Sequence, residues 1–320
     1  MIYLISISFL ATALVIGNAA FSVCLGLAFS FFYKPELNFI TRKVSTIPLQ
    51  IGIVILGLTI GLSSIYEISE NYLSCITLFV FLSFFGGLLI SRIFNLNKTL
   101  SILISSGAAI CGATAIAAVA PIIKAKPHEL IVALTIIFLF NIIALISFPY
   151  IGSTLSLSNV EFGSFVALAV HDTSSVIGTA LEYSPESVEV AATLKMARTL
   201  WLIPLIILLN FIYKNKESKS KYPKFVFFFV LAVLINSYSQ MSIQLELLLR
   251  DISKIFLITG LFCIGTQTSS IDFKSLSFKP FVFGLTLWLI ALPTAYLIVI
   301  YSTISNSYCC IFINSICICR

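Results

Sequence analysis

Charged side chains make up only 10% of this chain, and histidine and tryptophan occur twice each. With 59% of its 320 residues hydrophobic, too few polar groups remain to clothe a water-soluble core. A soluble enzyme or soluble binding module is excluded on that ground. The shortage of histidine, together with eight cysteines that lack zinc-type spacing, leaves no ligand cluster for metal hydrolysis. No Gly-x-x-x-x-Gly-Lys-Ser/Thr motif occurs, since Gly107 and Gly112 are followed by alanine and threonine, and Gly260 and Gly265 by threonine and glutamine. No cofactor is therefore expected, and any energy source should be an ion gradient. Residues from Met1 onward show no basic n-region and no small-residue cleavage site, which predicts a retained span. The formal net charge of +6 lies mostly in loops, so it reports orientation and not nucleic-acid binding.

Hydrophobic length is what the chain has in abundance. Runs long enough to approach the ~20 residues of a transmembrane helix fall at 1–16, 18–33, 47–66, 72–91, 99–123, 129–149, 161–182, 188–213, 223–240, 252–270 and 280–301. The expected fold is an all-α polytopic membrane protein with ten or eleven transmembrane helices. The first two runs meet at Gly17-Asn18 and are either separate spans or one bent segment. Residues 303–319 are either a weak further span or a helix lying along the membrane. The tail 302–320 is cysteine-rich, with Cys309, Cys310, Cys317 and Cys319. These read as small buried hydrophobes.

Basic loop residues orient the spans. Lys34, Arg42, Lys43, Arg92, Lys98, Lys214, Lys216, Lys219, Lys221, Lys224, Lys274 and Lys279 share one side if every candidate crosses once. Glu67, Glu70, Glu182, Glu186 and Glu189 fall on the other. This places the amino terminus in the cytoplasm. Lys124 and Lys126 break the rule, which marks the run at 99–123 as something other than an ordinary helix.

Setting aside an extra first span at 1–16, two five-span halves of opposite orientation follow, 17–150 and 151–301. That is the signature of an inverted-repeat transporter. The fourth span of one half carries "SSGAAICGATA" (105–115), and the fourth span of the other carries "ITGLFCIGTQT" (258–268). Both have a cysteine between glycines five apart, Gly107/Gly112 and Gly260/Gly265. This pairing predicts a broken helix in each half, with backbone donors exposed near the midplane. The alternative is that the glycines only allow close helix packing.

The ionisable residues inside spans are few. His171 and Asp172 lie about ten residues into the run at 161–182, roughly 15 Å deep by helix rise. Lys195 and Arg198, in "AATLKMARTLWLIP", share a helical face at similar depth. Such groups normally face a cavity and mark a pathway. The bland alternative is an Asp172–Arg198 pair tying two helices together. Two cations against one carboxylate favour an anion, and arginine suits an oxyanion. Neutral donors are available in Ser105, Ser106 and Thr114 of the first motif, in Ser174 and Ser175, and in Thr266 of the second. Glu246, Arg250, Asp251 and Lys254 read as solvated, and Glu129 as a carboxylate at a helix amino terminus. Aspartyl proteolysis needs two membrane carboxylates and only Asp172 lies well inside a span, so no enzyme is expected.

The segments "LQIGIVILGLTIGL" (49–62), "SSGAAICGATAIAAVAPIIKA" (105–125), "VHDTSSVIGTA" (170–180), "LKMARTLWLIP" (194–204) and "KPFVFGLTLWL" (279–289) resemble the YeiH-like sulfate exporter family of bacterial membrane proteins. The resemblance runs from about residue 18 to 300. It implies an inner-membrane location and a bile-acid-symporter type of fold, with two five-helix inverted repeats and crossed broken helices. The family motifs fall on Ser105, Gly107, Cys111, Gly112, His171, Asp172, Lys195 and Arg198. The chain departs from the pattern at Thr173-Ser174-Ser175, where many relatives carry a small residue and a glutamine.

The leading expectation is a secondary transporter exporting a small oxyanion such as sulfate or an organosulfonate. Lys195 and Arg198 would attract the anion, and the glycine-rich breaks with Cys111 would line the site. His171-Asp172 would couple a proton or sodium ion. The alternative is a cation or proton antiporter, or a channel, that uses Asp172 with no organic substrate. The expected partners are the lipid bilayer, the anion and the coupling ion, with no nucleic acid; a homodimer is compatible with such a fold.

Overall fold

A computed structural model describes residues 2–33, 39–44, 47–60, 62–213, 224–239, 242–268 and 278–317, with side chains undescribed at 42–43, 62–71 and 303–317. Lys34, Lys214, Lys216, Lys219, Lys221, Lys274 and Cys319 lie outside the described residues, as do the side chains of Arg42, Lys43, Glu67, Glu70, Cys309, Cys310 and Cys317.

The described chain is helical from end to end: α1 (Ile2–Ile16), α2 (Ala19–Tyr33), α3 (Ile40–Val44), α4 (Ile47–Gly57), α5 (Leu62–Ile93), α6 (Lys98–Ala109), α7 (Ala113–Val119), α8 (Pro127–Thr154), α9 (Asn159–Ala169), α10 (Thr173–Tyr183), α11 (Pro185–Leu200), α12 (Leu202–Tyr213), α13 (Lys224–Tyr238), α14 (Ile243–Thr268) and α15 (Phe278–Cys317). Four stretches are long and apolar enough to cross a membrane: Tyr72–Ile93, Pro127–Thr154, Pro185–Tyr213 and Phe278–Ser302. The chain is an all-α polytopic membrane protein. Between α11 and α12 the helix is interrupted at Trp201, because Pro204 has no N–H to donate to the Leu200 carbonyl. Gly17, at φ +66°, turns α1 back on α2, where Phe9 meets Phe29 and Tyr33, so the two are separate antiparallel helices.

The helices sort into two bodies by how they pack. The first, a panel, consists of α1 to α4 with α13 and α14. Within it, Gly26 of α2 lies so close to Phe262 that an added Cβ would sit 2.2 Å from that residue's carbonyl oxygen. Ser22 and Ser30 of α2 donate to the carbonyls of Ile258 and Thr266, at 2.8 and 2.6 Å. The second body, a core, consists of α5 to α12 with α15, and α10 is the core helix set closely against the panel's α2 and α14.

Inside the core, two helices are interrupted, and each turns back instead of crossing. The α6–α7 hairpin enters and leaves at the same end. Asn97, which caps α6, donates its Nδ2 to Glu129 at the start of α8, 2.8 Å away. Near the tip, Ile116 of α7 folds back onto Gly107 of α6. The α9–α10 hairpin likewise closes at its base. Tyr183 Oη donates to the carbonyl of Leu157 at 2.5 Å, and its ring stacks on Phe162 with centroids 3.9 Å apart. α8, of 28 residues and so about 42 Å long, runs from one base to the other. Its Glu129 joins the first base, and its Gly152 lies against Phe162 and Tyr183 of the second. The hairpins therefore enter from opposite ends and meet tip to tip.

This arrangement explains the anomalous Lys124 and Lys126. The run at 99–123 returns to the side it started from, so both lysines share an end with Lys98. It also corrects the expected pair of crossed broken helices. The second interruption is at 170–172, in "VHD", and not at 258–268: α14 is continuous through Gly260 and Gly265. A Cβ on Gly260 would lie 2.5–2.8 Å from Leu49, and one on Gly265 would lie 2.4 Å from the carbonyl oxygen of Val23. Those glycines admit neighbouring helices, as small-residue spacings do in membranes. The visible repeat is a hairpin followed by a helix that opens on proline, residues 98–154 and then 159–213. It sets Cys111-Gly112 in the position of His171-Asp172.

Candidate functional site

The two tips break their helices by different chemistry. At the first, Gly112 adopts φ +57° and ψ −122°, a conformation closed to residues with a Cβ. A Cβ there would also lie 3.0 Å from the Asp172 Cα, so the glycine lets the tips touch. At the second, Val170 and Asp172 are simply extended, with φ near −90° and ψ of 136° and 143°. No glycine is needed. Asp172 caps α10, accepting from the Ser174 N–H at 3.0 Å.

Interrupting two helices in a membrane leaves carbonyls at the ends of α6 and α9 without intrahelical partners. Arg198 and Lys195 of α11 satisfy them. Arg198 Nε donates to Ala109 at 2.8 Å and Nη2 to Ala108, both on α6. Its Nη1 reaches the carbonyls of Ala167, Leu168 and Val170 at 2.9, 2.8 and 3.3 Å, on α9 and its cap. Lys195 Nζ donates to Val170 and His171 at 2.9 and 2.6 Å. Both side chains are fully buried, and the Phe79 ring lies 4.9 Å from the guanidinium carbon. Cations at helix carboxyl ends also oppose the macrodipole.

Arg198 thus staples both hairpins to α11, and it makes no ion pair with Asp172. Neither of the sequence alternatives, direct anion ligand or Asp172 partner, matches the contacts that Arg198 and Lys195 make here.

Asp172, Thr173 and Ser174 line a small, partly open cleft, with Ala113 and Thr114 of the other tip. Phe138 of α8 and the panel residues Leu49, Gln50, Phe225 and Ile264 complete its walls. The cleft therefore lies on the boundary between core and panel. Asp172 is its one ionisable lining residue among those described, and the Thr173 Oγ1 has no partner. Asn141, of α8, escapes sequence reading. Its Oδ1 accepts from the His171 N–H at 3.2 Å and more weakly from the Asp172 N–H at 3.5 Å, holding the extended break in place. The only signal was one amide in the apolar run "FLFNIIAL".

Other proposed site residues sit elsewhere. Ser105 faces α5, where Gly87 makes room for it, and Ser106 bonds back to the carbonyls of Ile102 and Leu103. Gly107 receives Ile116, and Cys111 is buried at the tip. Ser175 follows Ser174 in the first turn of α10, and His171 is buried with its Nδ1 unpartnered. Gly260, Gly265 and Thr266 belong to the α14 packing seam, Thr266 donating to Thr41 at 2.9 Å.

Opposed re-entrant hairpins stapled through one arginine, beside a cleft at the seam of two helical bodies, define a polytopic membrane protein with a polar site in its interior. The chain belongs to the family described as conserved hypothetical protein 698, whose model matches residues 1–284. It is 38% identical over 262 residues to a UPF0324 membrane protein of Bacteroides thetaiotaomicron, covering 80% of this chain and 77% of that one. It is 35% identical over 277 residues to a UPF0324 membrane protein of Porphyromonas gingivalis, covering 84% and 83%. A Streptococcus agalactiae relative, UPF0324 membrane protein SAG1125, is 31% identical over 290 residues. The resemblance to the YeiH-like family agrees with this membership. No solved structure matches the chain.

Proposed function

We propose that the protein is a secondary carrier for a small oxyanion, exported across the inner membrane by alternating access and coupled through Asp172 to an ion gradient. The observation that carries this is the cleft itself, walled on one side by two hairpin tips and on the other by a separate helical panel. Discontinuous helices meeting near the midplane are the recurrent substrate sites of secondary transporters. The halves 17–150 and 151–301 contribute one hairpin each. The basic end, with Lys98, Lys124 and Lys126, faces the cytoplasm by the positive-inside rule, which also sets the amino terminus there.

The anion preference has an electrostatic reason. Two helix carboxyl ends and two helix amino ends meet at the tips, so their partial charges largely cancel. What remains is the Arg198–Lys195 pair against Asp172, a positive balance in a low-dielectric interior. The cations act from behind the tips, with donors already engaged. Direct contacts would come from Thr114, Thr173, Ser174 and backbone N–H groups, and protonating Asp172 would deepen the attraction.

Flux in proteoliposomes tests this. Uptake of sulfate or a simple sulfonate, dependent on a pH gradient, is expected in the wild type. Asp172→Asn should transport with its pH dependence lost.

One observation favours the second reading, a proton or cation antiporter: Asp172 is the only ionisable side chain lining the cleft among the described residues, while both cations are held by carbonyls. Cation-dependent charge movement with no anion present would select it. On neither reading is the protein an enzyme.

A further inference from the structure

Core and panel are tied by polar contacts at the acidic end, between residues more than 60 positions apart in sequence. Glu182, at the end of α10, is held on both carboxylate oxygens by the panel. Asn18 Nδ2 donates to Oε1 at 2.5 Å, and the Ala20 N–H, at the start of α2, points to Oε2 at 3.5 Å. One turn into α11, Glu189 pairs with Arg250 of the panel helix α14, which is also held by Glu246 of its own helix at 2.9 Å. Between these ties and the cleft, α10 presses its Gly178 against Leu261 of α14, where a Cβ would stand 3.0 Å from the nearest Leu261 carbon.

The cleft has the opposite bias. Its panel walls come from the first residues of α4 (Leu49, Gln50) and α13 (Phe225), helices that begin at the basic end. Polar ties and close packing therefore seal one side of the site, and the site's own walls reach toward the other.

We infer that Asn18–Glu182 and Glu189–Arg250 form a latch that holds the cleft shut at the acidic face and must part for the site to open there. Their chemistry suits a latch. The Arg250 and Glu189 side chains are 35% and 26% exposed, and such half-wet pairs hold an equilibrium only weakly. Many contacts within each body are, by contrast, fully buried, among them those of Ser22 and Ser30 in the panel and of Arg198 in the core.

This inference rests on the alternating-access reading, so its test needs no substrate. A cysteine at the cleft, Thr114→Cys, is labelled in sealed vesicles with a membrane-impermeant maleimide added to one face at a time. The same chain without this cysteine supplies the background from native thiols. Labelling in the parent is expected to be fast from the Lys98–Lys126 face and slow from the Glu182–Glu189 face. Adding Glu182→Ala with Glu189→Gln should raise the rate from the acidic face roughly two- to fivefold, the range expected for losing exposed polar pairs. The exchanged pair Glu189→Arg with Arg250→Glu keeps the charge match and should leave that rate low. Equal labelling from both faces in the parent overturns the latch, and so does an unchanged acidic-face rate in the variant. If latch behaviour is seen but no solute moves in flux assays, the carrier reading fails and the latch stands.

Discussion

Arg198 and Lys195 show how a buried charge in a membrane can be structural and still shape function. A cation in the bilayer interior is costly unless its donors are engaged, and here the carbonyls of two broken helices engage them. The Arg198→Ala variant should therefore lose stability, since several carbonyls would be orphaned at about 1–3 kcal/mol each. Thermal unfolding in detergent checks this, with Arg198→Lys expected to fall between variant and wild type because a point charge cannot reach both hairpins. Loss of transport in Arg198→Ala would consequently not identify an anion ligand. Thr173→Ala is the better probe, because its hydroxyl lines the cleft and has no structural partner. It should weaken anion flux while leaving the melting temperature close to that of the wild type.

Among the elements, the hairpins are what the linear pattern of hydrophobicity conceals. A run of 25 apolar residues looks the same whether it crosses or returns, because lipid-facing and core-facing positions are both apolar. The lysines did distinguish them: Lys124 and Lys126 fit no crossing helix. In cysteine-accessibility mapping, Lys124→Cys and Lys98→Cys should react from the same face and Glu186→Cys from the opposite one. The two breaks should also differ in their tolerance. Gly112→Ala forces a non-glycine residue to φ +57° against Asp172 and should cost about 1–3 kcal/mol. Gly107→Ala meets chiefly the flexible side chain of Ile116, with the Gly112 carbonyl oxygen at 3.4 Å, and should cost less, a contrast readable in parallel melts. Glycine spacing points to 258–268 for the second break, but α14 is continuous there. Extended residues capped by Asp172 do the same work, and "DTSS" is an N-cap signal hidden in a greasy stretch.

For the whole molecule, the glycines of α14 belong to the panel. Gly265→Leu would thrust a side chain into the α2 backbone, where even a Cβ stands 2.4 Å from the Val23 carbonyl. The panel should then fail to assemble, seen as a loss of monodisperse protein, while a change to another apolar residue at the exposed Leu231 should be silent. On the carrier reading, the division into core and panel puts the cleft where two bodies would move apart. Packing alone sets that division, and no composition shift announces it.

Composition and loop charge determined that the chain is a helical membrane protein, with its sides distinguished by lysine and glutamate. They also determined that His171, Asp172, Lys195 and Arg198 mark one interior region, because so few ionisable residues occur in apolar runs, while the glycine spacing marked Gly112. Only the tertiary structure decided which of these face the cleft and which hold the backbone. A buried cation reads alike in sequence whether it meets a ligand or a carbonyl. That choice depends on where the chain turns back, and the turn is fixed by contacts between Gly112 and Asp172, sixty residues apart.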